Sequence, residues 1–196
     1  MHVHTKYSPD ASTDPKTIVE RLNAHPTIKA TAITDHNTLE GYIKAKELAQ
    51  AYPDVTIIPG VEISAIEGEI LILGIEELPP TPWTIRRVID FAKKNNGLII
   101  APHPYRGYGL GNLVRTYQID AIETLNAITS PEANKAAENL AKTMNLPGVA
   151  GSDAHEPTEL WTVHTEIQSS PDVAEILKAI RQGSVRIASP SKSIRF

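Results

Sequence analysis

The chain has 196 residues, 41% of them hydrophobic and 21% charged, with a formal net charge of −4, which fits one globular domain with a sizeable core and offers no basic face for nonspecific nucleic-acid binding. It has no cysteine, so disulfides, thiolate zinc sites and thiol nucleophiles are excluded. Apolar runs such as 70–75 are too short to span a bilayer, and no leader is read ahead of the first motif, so no membrane partner and a cytoplasmic location are the expectation.

Runs rich in Ile, Val, Leu and Thr predict strands at 2–4, 30–34, 55–61, 70–75, 98–101, 121–124, 148–150, 163–167 and 185–188. Helix patterns lie between many of them. Asp14-Pro15 opens the first, with a capping carboxylate, a proline suited to the first helical position, and Ile18, Val19 and Leu22 on one face. The second spans 39–51. The third spans 84–94, with Ile85, Val88, Ile89 and Ala92 at helical spacing. Ser130-Pro131 opens a fourth that runs to about 144, and Ser170-Pro171 a fifth with Val173, Ile176, Leu177 and Ile180 inward. This alternation implies βαβ units and a parallel sheet, closed as a barrel or open. No repeat or linker divides the chain, so residues 1–196 read as a single domain. The segment 104–112, with three glycines and two tyrosines, is the expected mobile loop beside a site.

Five short polar motifs sit at predicted strand ends. They are His2-Val3-His4 with Asp10 downstream, Thr34-Asp35-His36, Gly60-Val61-Glu62, His103-Pro104, and Asp153-Ala154-His155. Residues two apart on a strand share a face, so His2 and His4 can reach one metal. Each motif alone is weak, and the isolated His25 and His164 read as surface or core residues. Five at the same end of successive strands are hard to explain as packing, because ionisable groups converging there are costly to bury unless they bind something. Parallel α/β folds carry their sites at the carboxyl ends of strands. The candidate ligands are His2, His4, Asp10, His36, Glu62, His103, Asp153 and His155. Imidazoles and carboxylates without sulfur suit Zn²⁺, Mn²⁺ or Fe²⁺, and eight groups are too many for one ion, so two or three divalent ions are expected. A carboxylate such as Glu62 can bridge two of them, an arrangement suited to phosphoryl chemistry.

The ordered set of motifs, from His2 to His155, resembles the PHP (polymerase and histidinol phosphatase) family. The resemblance implies a distorted seven-stranded TIM-like (β/α) barrel with a trinuclear metal site and phosphoesterase activity. It implies one ion at His2, His4, Glu62 and Asp153, a second served by Glu62 and His103, and a third by Asp10, His36 and His155. Two departures stand out. Many relatives carry another histidine after the Glu motif, where this chain has Leu71, which implies a second site left weak, open or completed by water. Only Met1 precedes His2, which implies a short first strand with the terminal amine near the metals.

The function expected is hydrolysis of a small phosphomonoester, nucleotide or short oligonucleotide by a metal-activated hydroxide, with Glu62, His103 and Asp153 central to catalysis. Arg106 and Lys6, each just after a motif, are the candidates for gripping the substrate. The competing readings are a noncatalytic barrel acting as a binding or scaffold protein, and a hydrolase of C–N or C–O bonds. Ligating imidazoles must be neutral and a metal-activated water has a pKa near ~7. Activity on a phosphoester should therefore rise from mildly acidic to alkaline pH. A pH–rate profile checks this, and an optimum below about pH 5 would contradict hydroxide attack.

Overall fold

The computed structural model describes residues 1–189. Its elements are α1 (Pro15–Ala24), β1 (Ala30–Ile33), α2 (Glu40–Ala49), β2 (Thr56–Ala65), β3 (Gly68–Leu73), α3 (Ile85–Lys94), β4 (Leu98–Ala101), β5 (Ala121–Asn126), α4 (Pro131–Met144), β6 (Gly148–Gly151), β7 (His164–Ile167), α5 (Val173–Arg181) and β8 (Val185–Ala188). Two helices begin where a capping side chain precedes a proline. Asp14 accepts from Lys16 N at 2.9 Å, and Ser130 from Ala133 N at 3.2 Å, each followed by proline. The fifth helix starts later than its Ser170-Pro171 signal suggests. Asp172 is the cap, accepting from Glu175 N, while the Pro171 carbonyl is bound by Thr56 Oγ1.

Strands β1 to β6 form one curled sheet in chain order. The pairs β1–β2, β4–β5 and β5–β6 are parallel, but β2–β3 and β3–β4 are antiparallel, which corrects the expectation of a parallel sheet. The reason is the connection: only Ile66 and Glu67 separate β2 from β3, and so short a link makes a hairpin, never a crossover. β7 and β8 form a separate antiparallel pair, tied to β6 through Thr165 Oγ1 and the Ala150 backbone.

The expected first strand is reduced to a bridging segment. Val3 pairs with Ala154 beyond the end of β6, His4 N donates to Ala154 O, and Asp153 N donates to His2 O. On the other side Thr34 N donates to Val3 O at 2.8 Å, and Thr34 Oγ1 accepts from Val3 N at 3.0 Å. Residues 2–4 thus join β1 to β6 and close the curl as the seventh stave of a distorted α/β barrel.

The inward face changes character along each strand. Ile58, Leu71, Leu73, Ile100, Ala121 and Val149 form an apolar cluster, against which α5 lays Ile176, Leu177 and Ile180. Further along the same faces, at even spacing, stand Glu62 on β2, Glu69 on β3 and Glu123 on β5. The opposite face, including Ile70 and Ile72, packs under Ile85, Val88 and Ile89 of α3. One end of the barrel is therefore an apolar plug and the other is lined by acids. Among the described residues, no helix is long and apolar enough to cross a membrane.

Thr34 is completely buried and serves the seam alone. Replacing it by the near-isosteric valine leaves Val3 N without its acceptor. Thr34→Val should destabilise the fold by about 1–3 kcal/mol. Urea denaturation measures this, and an unchanged midpoint would show that the seam does not need the hydroxyl.

Candidate metal centre

At the acidic end of the barrel, imidazoles and carboxylates from six parts of the chain converge. His2 Nε2 lies 3.1 Å from Glu62 Oε2 and 3.1 Å from Asp153 Oδ1, and His4 Nε2 lies 3.2 Å from each of the same two oxygens. His103 Nε2 lies 3.1 Å from the other oxygen of Glu62 and 3.7 Å from Glu69 Oε2. Asp10 Oδ2 stands 3.6 Å from His36 Nε2 and 3.4 Å from His155 Nε2. Three groups have donor atoms close enough together to share an ion: His2, His4, Glu62 and Asp153; Glu62, Glu69 and His103; and His4, His36 and His155.

The spacing fits metal ligation. Donors bound to one ion at ~2.1 Å, at angles between octahedral and tetrahedral, are about 3.0–3.4 Å apart. Five of the contacts above lie at 3.1–3.2 Å, yet the buried His4 Nε2 makes no hydrogen bond. That nitrogen stands 3.2 Å from one oxygen of each carboxylate, Glu62 Oε2 and Asp153 Oδ1.

The surrounding hydrogen bonds hold the rings of His2, His4 and His155 in the form a ligand needs. Ser8 Oγ donates to Asp35 Oδ1 at 2.8 Å, so it accepts from His4 Nδ1 at 3.1 Å and leaves Nε2 for the centre. The same oxygen accepts from His36 N at 3.0 Å. His2 Nδ1 is bound by Glu123 Oε1 at 2.9 Å, and His155 Nδ1 by Asp153 O at 2.8 Å. Glu123 Oε2 also accepts from His103 N and Asn126 Nδ2, each at 2.9 Å, and Asn126 Nδ2 reaches Asp153 Oδ2 at 3.0 Å. Two glycines make room. A Cβ at Gly41 would stand 1.9 Å from Asp35 Oδ2, and one at Gly151 1.9 Å from Glu123 Oε1.

Burial and charge oppose each other here. Burial pushes the Glu62 and Asp153 carboxyls up, but the charge of His2 and bonds from the surrounding imidazoles outweigh it and hold both below the usual range. Burial lowers the pKa of His4, but its contacts with Asp153 and Glu62 overcome this and raise it to about 9. His2 rises well above its ordinary value against the same burial, through Asp153, Glu123 and Glu62. His36 moves down, because burial exceeds the pull of Glu62.

All eight candidate ligands are thus brought together. Arg106 joins them through its bond to Asp153 Oδ2. Lys6 does not: its Nζ is engaged by Asp14 at 2.6 Å, on the surface beside the cap of α1. His25 bonds Thr27 N and Ile28 N, and His164 lies on β7. A cavity of about 690 Å³ bordered by β1, β7 and α5 is lined by none of the clustered acids and histidines. The 104–112 loop is folded on itself, with Gly109 N donating to Arg106 O and Gly111 N to Pro104 O. The motif reading missed Glu69, Glu123 and Asn126 as members of the site. The signal for the acids was present, since an acid inside an apolar strand, on its inward face, has to meet a partner.

The chain matches known proteins over most of its length. A family model described as the PHP domain matches residues 1–142, and one described as PHP-associated matches residues 131–185. An uncharacterised protein of Methanocaldococcus jannaschii is 34% identical over 139 residues, which cover 65% of this chain and 80% of that one. A two-domain Bacteroides vulgatus protein, containing a predicted PHP-like metal-dependent phosphoesterase, superposes with a TM-score of 0.78 at 17% identity over 96% of this chain. This chain spans 63% of that protein's length. An amidohydrolase from Chromobacterium violaceum, solved with bound sulfate and no metal, has a TM-score of 0.70 at 17% identity over 99% of this chain and 98% of its own. These two structures share the fold.

The raised histidines carry a pH consequence. A folded-state pKa of about 9 for His4, against an ordinary 6.5, means that its proton stabilises the metal-free fold fully below about 6.5, and this contribution is lost as pH rises through about 9. A ligating imidazole must give up that proton. Metal uptake near neutral pH should release at least one proton per chain, and affinity should climb until about pH 9. Calorimetric titration with Zn²⁺ in two buffers of different ionisation enthalpy measures the release. Identical heats in both buffers would contradict it.

Proposed function

This chain belongs to the PHP family, and on that premise we propose that it is a metal-dependent phosphoesterase, acting as one domain on a small phosphomonoester, a nucleotide or a short oligonucleotide. The observation that carries this reading is the two-sided use of Glu62. One of its oxygens faces His2 and His4, and the other faces His103, so one buried carboxylate serves two neighbouring groups of donors. When bound there, adjacent divalent ions supply a polarised water and positive charge for the attacked phosphate, and the donor set suits Zn²⁺, Mn²⁺ or Fe²⁺.

The chain's own residues divide the remaining work. In this reading His2, His4, Glu62 and Asp153 hold one ion, Glu62 and His103 serve a second, and Asp10, His36 and His155 a third. Glu123 and Ser8 fix the ring orientations of His2 and His4. Arg106 carries a planar guanidinium at the edge of the cluster, 29% exposed, where its fork can grip phosphate oxygens. Lys6 is left out of this grip because Asp14 engages it.

The test is a panel of phosphomonoesters, nucleoside bisphosphates, short oligonucleotides and simple amides, assayed with Mn²⁺ and with Zn²⁺. Phosphoester hydrolysis is expected. Glu62→Gln should lower kcat by roughly 10²-fold or more, since it removes the shared charge. Arg106→Lys should raise KM by roughly tenfold with metal content unchanged, because the charge stays and the fork is lost. Cleavage of amides alone, or no hydrolysis by metal-replete protein, would overturn the proposal in favour of a different hydrolase or of a binding role.

A further inference from the structure

The group formed by Glu62, Glu69 and His103 differs in kind from its neighbours. The absence of a histidine at Leu71 suggested a site left weak, open or completed by water. Leu71 is 1% exposed, lies opposite Glu62 across the β2–β3 hairpin and packs with Leu73, Leu98 and Ile100 in the apolar inner cluster, so position 71 brings an apolar side chain and no donor to the edge of the centre. Glu69 stands one pleat repeat away on the same face. β3 runs antiparallel to β2, with Ser64 opposite Glu69, so the start of β3 lies level with the acidic end of the barrel. Glu69 is held there by its backbone N–H, which donates to Tyr108 O at 2.9 Å. Its carboxylate lies 3.7 Å from His103 Nε2, too long for a hydrogen bond and close to the spacing of two donors on one ion. The His103 side chain is 2% exposed, and its Nε2 is directed at Glu62 Oε1 as well as toward Glu69. Two buried carboxylates with donor oxygens within 4.8 Å of each other call for a cation between them.

The three groups are graded in donor chemistry. His4, His36 and His155 offer three imidazoles, with the exposed carboxylate of Asp10 beside two of them. His2, His4, Glu62 and Asp153 offer two imidazoles and two carboxylates. Glu62, Glu69 and His103 offer one imidazole and two carboxylates. Imidazole favours Zn²⁺, and carboxylate with water favours Mn²⁺. We propose that Glu69 completes a second-ion site selective for a hard, oxygen-preferring ion such as Mn²⁺, so that the centre loads with two different metals, zinc at the imidazole-rich groups and manganese at Glu69. This rests on the metal-dependent hydrolase reading above.

The experiment loads the full chain with Zn²⁺ and Mn²⁺ together at equal concentration, removes free metal, and follows zinc by elemental analysis and Mn²⁺ by electron paramagnetic resonance. Wild type, Glu69→Gln and Glu69→His are compared after circular dichroism shows the same fold. Wild type should hold both metals. Glu69→Gln should weaken Mn²⁺ by about tenfold or more and leave zinc content unchanged, the scale on which loss of a metal-site partner acts. Glu69→His should replace manganese by zinc. If Glu69→Gln binds Mn²⁺ like wild type while zinc is retained, the selective site is wrong and the hydrolase reading stands. If wild type takes up zinc at every group despite available Mn²⁺, the selectivity is wrong as well. If wild type retains neither metal, the hydrolase reading falls and this inference falls with it.

Discussion

The structure depends on the burial of carboxylates. Glu62, Glu123 and Asp153 are each 1% exposed, and an uncompensated carboxylate at such depth costs several kcal/mol. Glu62 is the hinge of the compensation, because imidazoles from the bridging segment, from the turn after β1 and from the turn after β4 all approach it. Without metal, the charge is met by protons on His2 and His4, whose pKa values rise for that reason. Bound ions would take over that neutralisation, since a ligating ring nitrogen must give up its proton.

This constraint ties the site to the barrel. The segment that carries His2 and His4 is also the stave that joins β1 to β6, and Val3 between them is fully buried. Asp153 N donates to His2 O, and Thr34 N to Val3 O, so backbone bonds at the seam hold ligands on both sides of it. An ion that binds only the closed barrel stabilises closure by its binding free energy. Fold and chemistry are in this sense a single equilibrium.

Much of this was legible in the sequence. The motifs announced the residues that the structure gathers, because polar groups repeated at successive strand ends have few structural uses. Helix starts were legible where Asp14-Pro15 and Ser130-Pro131 supply both cap and first-turn proline. The direction of β3 was not, since apolar periodicity is the same in either direction and only the short Ile66-Glu67 link betrays the hairpin. That error concealed Glu69. In a parallel sheet the site lies at the end of each strand, whereas in the reversed β3 it lies at the start. Glu123 was hidden differently. It touches the centre through His2 Nδ1 and His103 N, and such support leaves no spacing signature in a sequence. Lys6 was chosen from adjacency alone, and its partner in the structure is the capping Asp14 eight residues on.

Asp153 shows how the proposed substrate grip can coexist with the proposed metal ligation. Its Oδ1 faces His2 and His4, while Oδ2 is bound by Arg106 and by Asn126 Nδ2. The two oxygens are therefore assigned to different partners, and an ion in the four-donor group would not have to displace the arginine. A guanidinium carries five N–H donors, and one terminal nitrogen suffices for the bond to Oδ2. Arg106 is thereby anchored by the centre it borders, and its position is held by Arg106 N donating to His103 O at 2.9 Å. A lysine could satisfy Oδ2 as a point charge, but it would have no second nitrogen in a fixed plane to offer an incoming anion. The anchoring also lowers the entropy that a free surface arginine would lose on gripping a phosphate. The burial of Asp153, required first by the charge balance around Glu62, thus also prepares the residue proposed to receive the substrate.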